Sequence, residues 1–517
     1  MKNNKITDQS SLDQAVKRIC DILRRDKAKG ARLYVPELTW MLFLNALDQK
    51  EALEEQRAQA LGKTLTPSFD SPFRWRDWAT PPNNPLPLFQ QNGFQPGWKR
   101  RELSQQAIGS FLTFVNGELL PYLRGLGGKP NATERQRVIG MIFNNKTQTI
   151  LESETNLLDA IDRVDALTRA EISDQHIFFV SQAFEGLLPK LGEKKNDGGQ
   201  FFTPREVARA IVQTVKPQLD KTVYDPCCGT GGFLIEAYKQ MASQHPSPTQ
   251  IEVLKTETFW GREYANEAIP ITLANMVLHD IDLPRIWHGN TLTGVATEEN
   301  LFEDAPLQFD YILTNPPFGS KEGKDAQAAF AYKTGKGQVL FLQHIIDALA
   351  NGGTCGMVID EGVLFHTKTA AFQQTKRKLL SECELWCIVS LPPAVFVNAG
   401  AGAKTDLFFF TKGKPTKRIW YYDLSDIKVA KKKPLTLKHF DDFFKRLALA
   451  PDDPERISER SWYEEIENIQ KKKYDLKAIN PNAPDKSDRR TPRELIAIIE
   501  ETQIEIDNGL KVLKELM

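Results

Sequence analysis

The chain has 517 residues, in which 67 Lys and Arg balance 67 Asp and Glu, and 41% of the residues are hydrophobic. At that length roughly two to four domains with buried cores are expected, which excludes a disordered chain, a collagen and a small disulfide scaffold. Six cysteines without metal-ligand spacing, Cys227 and Cys228 adjacent among them, read as reduced intracellular thiols. The polar start MKNNKITDQS lacks the apolar core of a signal peptide, and the run Trp40 to Leu44 is far too short to cross a bilayer, so a cytoplasmic location is expected.

Residues 1–170 read as a helical domain. LDQAVKRICDILRR and PELTWMLFLNALDQKEALEEQRAQAL carry apolar residues at three- and four-residue spacing. The Pro- and Trp-rich connector 66–98 is too aromatic for a flexible linker and is expected to pack on the bundle. Helical stretches at 155–170 and 173–191 lead to the break KKNDGGQ at 194–200. Thr203-Pro204-Arg205-Glu206 has the pattern of a helix N-cap.

From 171 to 455 strands and helices alternate. Strand-like runs fall at 222–226, 258–263, 309–317, 353–360, 385–392 and 406–412, with helical patterns such as REVARAIVQTV and NEAIPITLANMVLH between them. This predicts an α/β fold, a mostly parallel doubly wound sheet whose ligands sit at the carboxyl ends of its strands. From Thr411 to His439 nine Lys and Arg stand against Asp423 and Asp426. A solvated surface loop accounts for that run better than a nucleic-acid contact does. Residues 456–517 read as a charged helical tail. Thr491-Pro492-Arg493-Glu494 is a capping box with proline at the first helical position, followed by a seam of Leu495, Ile499, Ile506, Leu510, Leu513 and Met517. Such a stripe more often packs on its own protein, but at a terminus a partner helix competes.

Two motifs carry chemistry. In Asp225-Pro-Cys-Cys-Gly-Thr-Gly-Gly-Phe233, between a strand and a helix, Gly229, Gly231 and Gly232 allow a tight turn and close approach of a ligand. The next strand ends in Glu263, an acidic residue placed for ribose hydroxyls, so a dinucleotide or another adenosine cofactor fits. Asn315-Pro316-Pro317-Phe318 follows the strand FDYILT. Pro316 and Pro317 cannot continue a ladder and stiffen the turn. The Asn315 amide oxygen and the Pro316 carbonyl can each accept a hydrogen bond from an exocyclic amine, keeping its lone pair on nitrogen. Phe318 can stack on the base, worth ~1–3 kcal/mol.

These motifs together resemble S-adenosylmethionine-dependent amino-methyltransferases, and Gln200-Phe201-Phe202-Thr203-Pro204-Arg205 is similar to that family's element contacting the methionine part of the cofactor. The order FFTP, DPCCGTGGF, NPPF resembles the modification subunit of type I restriction–modification systems. So do the helical segment holding PELTWMLFLNALDQK and FRWRDWA and the tail element Lys473-Tyr-Asp-Leu-Lys477. The resemblance covers nearly the whole chain. It implies a Rossmann-like methyltransferase domain with S-adenosylmethionine bound by residues 200–205, Asp225, Gly229, Thr230, Gly231, Gly232, Glu263 and, at the adenine, Asn290. It further implies N6-methylation of an adenine flipped out of double-stranded DNA, by direct displacement without a metal, which protects host DNA from cleavage. The expected partners are DNA, a specificity subunit reached through the terminal helix, and a restriction subunit, with two modification subunits per specificity subunit. An amino-methyltransferase for an RNA base or a protein glutamine is the competing enzyme reading. A scaffold that only clamps DNA is the non-enzymatic one. A nicotinamide oxidoreductase gives NPPF no role.

Overall fold

The structure, a computed structural model, describes residues 9–81, 95–167, 203–296, 302, 304–396, 404–430, 433–482 and 491–515. The expected helix 173–191, the break 194–200, Gln200, Phe201, Phe202 and Met517 lie outside the described residues.

The longer N-terminal helices are α1 (Gln9–Arg25), α2 (Ala31–Ala60), α3 (Glu134–Phe143) and α4 (Glu154–Leu167), with shorter helical turns between α2 and α3. Helix α3 opens with a capping box formed by Thr133 and Gln136. The aromatic connector packs inward as its composition requires. Trp75 and Trp78 are buried, the Trp75 indole donates to Asp165 at 3.0 Å, and Arg76 pairs with Asp48 at 2.9 Å.

Beyond residue 203 come α5 (Arg205–Val215), β1 (Val223–Asp225), α6 (Gly232–Ala242), β2 (Phe259–Glu263), α7 (Ile269–Leu278), β3 (Arg285–Asn290), β4 (Val295–Ala296) and β5 (Phe309–Thr314). They are followed by α8 (Gly337–Ala348), β6 (Leu349–Asp360), α9 (Ala370–Glu382), β7 (Cys383–Ser390), β8 (Thr405–Lys412), β9 (Arg418–Asp423), β10 (Ser461–Glu465) and α10 (Pro492–Glu515). The strands form one sheet in the order β10-β9-β7-β8-β6-β5-β1-β2-β3-β4. Strands β3, β2, β1, β5 and β6 run parallel, and β8 inserts antiparallel between β6 and β7. Phe408, Phe409 and Phe410 of β8 are fully buried, as a strand covered on both faces demands.

From β1 the chain winds outward to β2 and β3, then returns to β5 on the other side of β1. The gap between the carboxyl ends of β1 and β5 is therefore the topological switch point, where such sheets bind ligands. Helices α5, α6 and α7 share one core with the N-terminal helices, while α8 and α9 line the core on the opposite face. Ionic contacts join the helical region to α7 and its end. Lys50 Nζ of α2 donates to the Val277 carbonyl at 2.6 Å and pairs with Asp280 at 2.8 Å. Arg135 of α3 bridges Glu54 of α2 and Asp282, each at 2.8 Å.

Three expectations need correction. The Lys/Arg-rich segment 411–439 is not simply a loop, because its middle, Ile419-Trp-Tyr-Tyr422, is the buried strand β9, parallel to β7. The segment after 456 is not wholly helical: Ser461–Glu465 pairs antiparallel with β9, and Leu476 is fully buried in the sheet's core. The Thr203–Glu206 cap does not form. Pro204 is the N-cap of α5 without a side-chain bond, and the Glu206 carboxylate instead accepts from Leu437 N at 3.0 Å.

The cap at Thr491 does form. Thr491 Oγ1 accepts from Glu494 N at 3.3 Å, while the Glu494 carboxylate accepts from Thr491 N at 2.6 Å. The helix it starts leaves Ile499, Ile506 and Leu510 exposed and Leu495 half-buried.

Candidate active site

The glycine turn follows β1 and opens α6. Gly231, the N-cap of α6, lies at φ 79°, and Gly229 at φ 52°, in the left-handed region that glycine enters without a Cβ penalty. A Cβ on Gly231 would also press on the Met276 side chain at 3.0 Å. The turn's carbonyls are held from outside. Thr272 Oγ1 donates to the Gly229 carbonyl, Asn275 Nδ2 to that of Thr230 at 3.0 Å, and Thr291 Oγ1 to that of Pro226 at 2.8 Å.

Glu263, at the end of β2, is buried under this turn. Its Oε2 accepts from Gly229 N at 2.9 Å, and its Oε1 accepts from Tyr264 N and Ala265 N at 2.9 and 2.8 Å. Burial pushes its carboxyl above the ordinary range against the pull of those three donors. Asp225 is raised to about 7, also by burial, with the Thr314 hydroxyl and the Cys227 N–H pulling the other way. Its Oδ1 accepts from Thr314 Oγ1 at 2.6 Å and from Cys227 N at 2.9 Å.

Asn315 follows Thr314 directly. Its Nδ2 donates to Thr203 Oγ1 at 3.1 Å, which turns the amide oxygen the other way. That Oδ1 is buried and has no hydrogen-bond partner among the described residues. Buried acceptors are nearly always satisfied, so this oxygen is available to a donor that the described residues do not supply. The Pro316 carbonyl accepts from Gln338 Nε2 at 3.2 Å, and the half-buried Phe318 ring stands edge-on to Phe396 at 5.3 Å. Beyond Phe318 a cavity of about 760 Å³ opens between Gly319–Glu322, Lys336 and the segment Asp360–Thr369.

The structure thus brings Thr203, Asp225, the glycine turn, Glu263 and Asn315–Phe318 to one edge. Two residues expected at the cofactor are engaged elsewhere. Arg205 pairs with Glu236 of α6 at 3.0 Å, and the Asn290 amide oxygen accepts from Leu292 N and Thr293 N at 2.9 and 3.3 Å, closing the turn after β3. Thr272, Asn275, Thr314 and Gln338 are site residues that the sequence reading passed over. Thr272 and Asn275 did leave a signal, as polar residues inside the otherwise apolar helix Ile269–Leu278.

Two family models match the chain: N-6 DNA Methylase over residues 174–489 and the HsdM N-terminal domain over residues 12–164. The chain is 29% identical to the type I restriction enzyme EcoEI methylase subunit of Escherichia coli over 520 residues, covering 98% of each chain. It is 31% identical to the type I restriction enzyme StySPI methylase subunit of Salmonella potsdam, covering 67% of each. A chain solved in work on complex assembly and conformational transition of the type I R-M system superposes with a TM-score of 0.68 at 37% identity, covering 99% of this chain and 98% of that one.

Proposed function

The chain belongs to the N-6 DNA methylase family, as the modification subunit of a type I restriction–modification system and hence an adenine-specific DNA methyltransferase, and from that premise we propose how its residues divide the work. The observation that carries the proposal is the buried Oδ1 of Asn315, which has no hydrogen-bond partner among the described residues, beside the glycine turn.

The cofactor is S-adenosylmethionine, which when bound supplies an electrophilic methyl group on a positively charged sulfur. The residues present fit it. Glu263 has about four acceptor positions and spends three on backbone N–H groups, leaving one for a ribose hydroxyl. Gly229, Gly231 and Gly232 offer backbone without Cβ obstruction to the methionine part, Thr203 lies at the same edge, and Asn290 keeps its amide NH2 for the adenine.

The target adenine leaves the duplex, since its amine is out of reach within the stack. Asn315 Oδ1 and the Pro316 carbonyl each accept a hydrogen bond from that amine. The two bonds keep the nitrogen lone pair from delocalising into the ring, so nitrogen is the nucleophile. Phe318 stacks on the base, and Pro316 and Pro317 fix the turn. Positioning and fixed dipoles carry the acceleration.

Sequence recognition comes from a specificity subunit, against which α10 packs, with a restriction subunit completing the complex and two copies of this chain serving one specificity subunit. Within this chain, 1–170 acts as the helical domain, the catalytic domain runs from 171 past 455 to take in β10 and Leu476, and the docking tail is α10, which Thr491 caps.

The test supplies labelled S-adenosylmethionine and double-stranded DNA, RNA or protein to the chain assembled with its specificity subunit. Label recovered as N6-methyladenine in DNA is the expected result. Label in an RNA base or a glutamine side chain, with none in DNA, would overturn it.

A further inference from the structure

Each of the two acceptors proposed for the target amine belongs to a group hydrogen-bonded to a side chain far away in sequence. Thr203 holds Asn315, as described. Gln338 holds Pro316. It sits on the first turn of α8 and is 5% exposed. Its Nε2 donates to the Pro316 carbonyl at 3.2 Å, and its Oε1 accepts from Asp360 N, at the end of β6, at 2.8 Å. Asp360 is fixed in turn, its Oδ1 accepting from Gly362 N at 2.6 Å.

We infer that Gln338 is a positioning residue for methyl transfer: it pins the Pro316 carbonyl so that one lone pair is spent on the side chain and the other faces the target amine. The inference rests on the assignment of Asn315 and Pro316 as amine acceptors. A carbonyl has two lone pairs, so a single outside donor leaves one for substrate. The pairing of β5 ends at Thr314, so among the described residues the sheet ladder supplies no donor to the Pro316 carbonyl. A side chain reaching across from α8 fills that gap, and its bond to Asp360 keeps its amide from rotating. Gln338 suits both tasks because a glutamine amide offers a donor and an acceptor on one planar group.

Two variants separate positioning from mere packing, assayed in the full chain assembled with its specificity subunit. Gln338→Leu removes both bonds at similar volume. Turnover is expected to fall roughly 10–100-fold, the cost of a small misplacement at a reacting centre. KM for DNA, cofactor affinity and the fluorescence rise of 2-aminopurine at the target position should stay as in the wild type. Gln338→Glu keeps the acceptor for Asp360 N but loses the donor when ionised. Burial favours the protonated form, which donates again, so turnover relative to wild type should recover as pH falls.

Normal turnover in both variants, or a Gln338→Glu pH profile matching wild type, overturns the inference. If Gln338→Leu does not fold, the pH profile of Gln338→Glu decides alone. Asn315→Ala, run alongside, keeps the two claims apart. An active Asn315→Ala protein overturns the acceptor assignment itself, whereas an inactive one beside normal Gln338 variants overturns only the role of Gln338.

Discussion

Thr314 Oγ1 donates to Asp225 Oδ1 at 2.6 Å and so fastens the strand end that carries NPPF to the strand end that carries the glycine turn. Both residues are buried, and the two halves of the site are joined by this hydrogen bond across the switch point. Thr314→Val keeps the shape and removes the bond. It should cost about 0.5–1.5 kcal/mol of stability below pH 7, where Asp225 is protonated, and about 1.5–3 kcal/mol above it, where the acceptor is charged, and slow methylation. A variant with wild-type melting and turnover would show the two strand ends to be independent.

The same carboxyl predicts a pH dependence. Burial raises Asp225 from 3.8 to about 7 in the folded chain. Between those values the folded state holds a proton that the unfolded state has released, so stability falls as pH rises from the ordinary carboxyl range to about 7. Asp225→Asn deletes the titration while leaving an oxygen for Thr314. Its melting temperature should decline less steeply across that window, and a slope equal to wild type in differential scanning calorimetry would contradict the assignment.

Asn315→Ala removes the buried acceptor and is expected to abolish methyl transfer while cofactor binding stays largely intact. Thr203→Val leaves Asn315 in place but frees its amide, so it should lower turnover by roughly 10–100-fold without matching the full loss. Calorimetric binding and methyl incorporation on one preparation decide the matter. Near-normal turnover in Asn315→Ala would remove NPPF from the chemistry.

Glu263→Ala acts twice. Losing a charge-assisted bond to ribose costs ~1.5–3 kcal/mol, or roughly one to two orders of magnitude in affinity for S-adenosylmethionine. The same change releases Gly229 N, so the melting temperature should fall together with the affinity. Unchanged affinity with lowered stability would leave Glu263 as a brace only.

The terminal helix gives a clean assembly test. Ile499, Ile506 and Leu510 are 66%, 51% and 49% exposed, so deleting 491–517 should leave melting and cofactor binding unchanged. The truncated chain should no longer co-purify with the specificity subunit or methylate specific DNA. Normal assembly of the truncated chain would refute this docking role.

Much of the sheet was legible because its central strands are buried on both faces and read as short apolar runs. TVYDP, FDYILT and DLFFFTK needed no context. The strand RIWHGN was missed because Arg285 and His288 interrupt the apolar pattern, although Arg285 donates to the Thr256 carbonyl at 3.0 Å and His288 is buried. RIWYYD was hidden among lysines, and SWYEE is an edge strand beside it. At the site, motif residues were legible because their type states their chemistry. Gln338, Thr272 and Asn275 were not, because each bonds to a backbone carbonyl far away in sequence, and no spacing rule encodes that meeting.

The ion pairs between the N-terminal helices and α7 have a mechanical consequence. Lys50 grips one end of α7 at Val277, and about one and a half turns back along the same helix Thr272 grips the Gly229 carbonyl. The helical region and the glycine turn therefore hold on to one and the same helix, so α2 and the turn proposed to cradle the methyl donor share a single support.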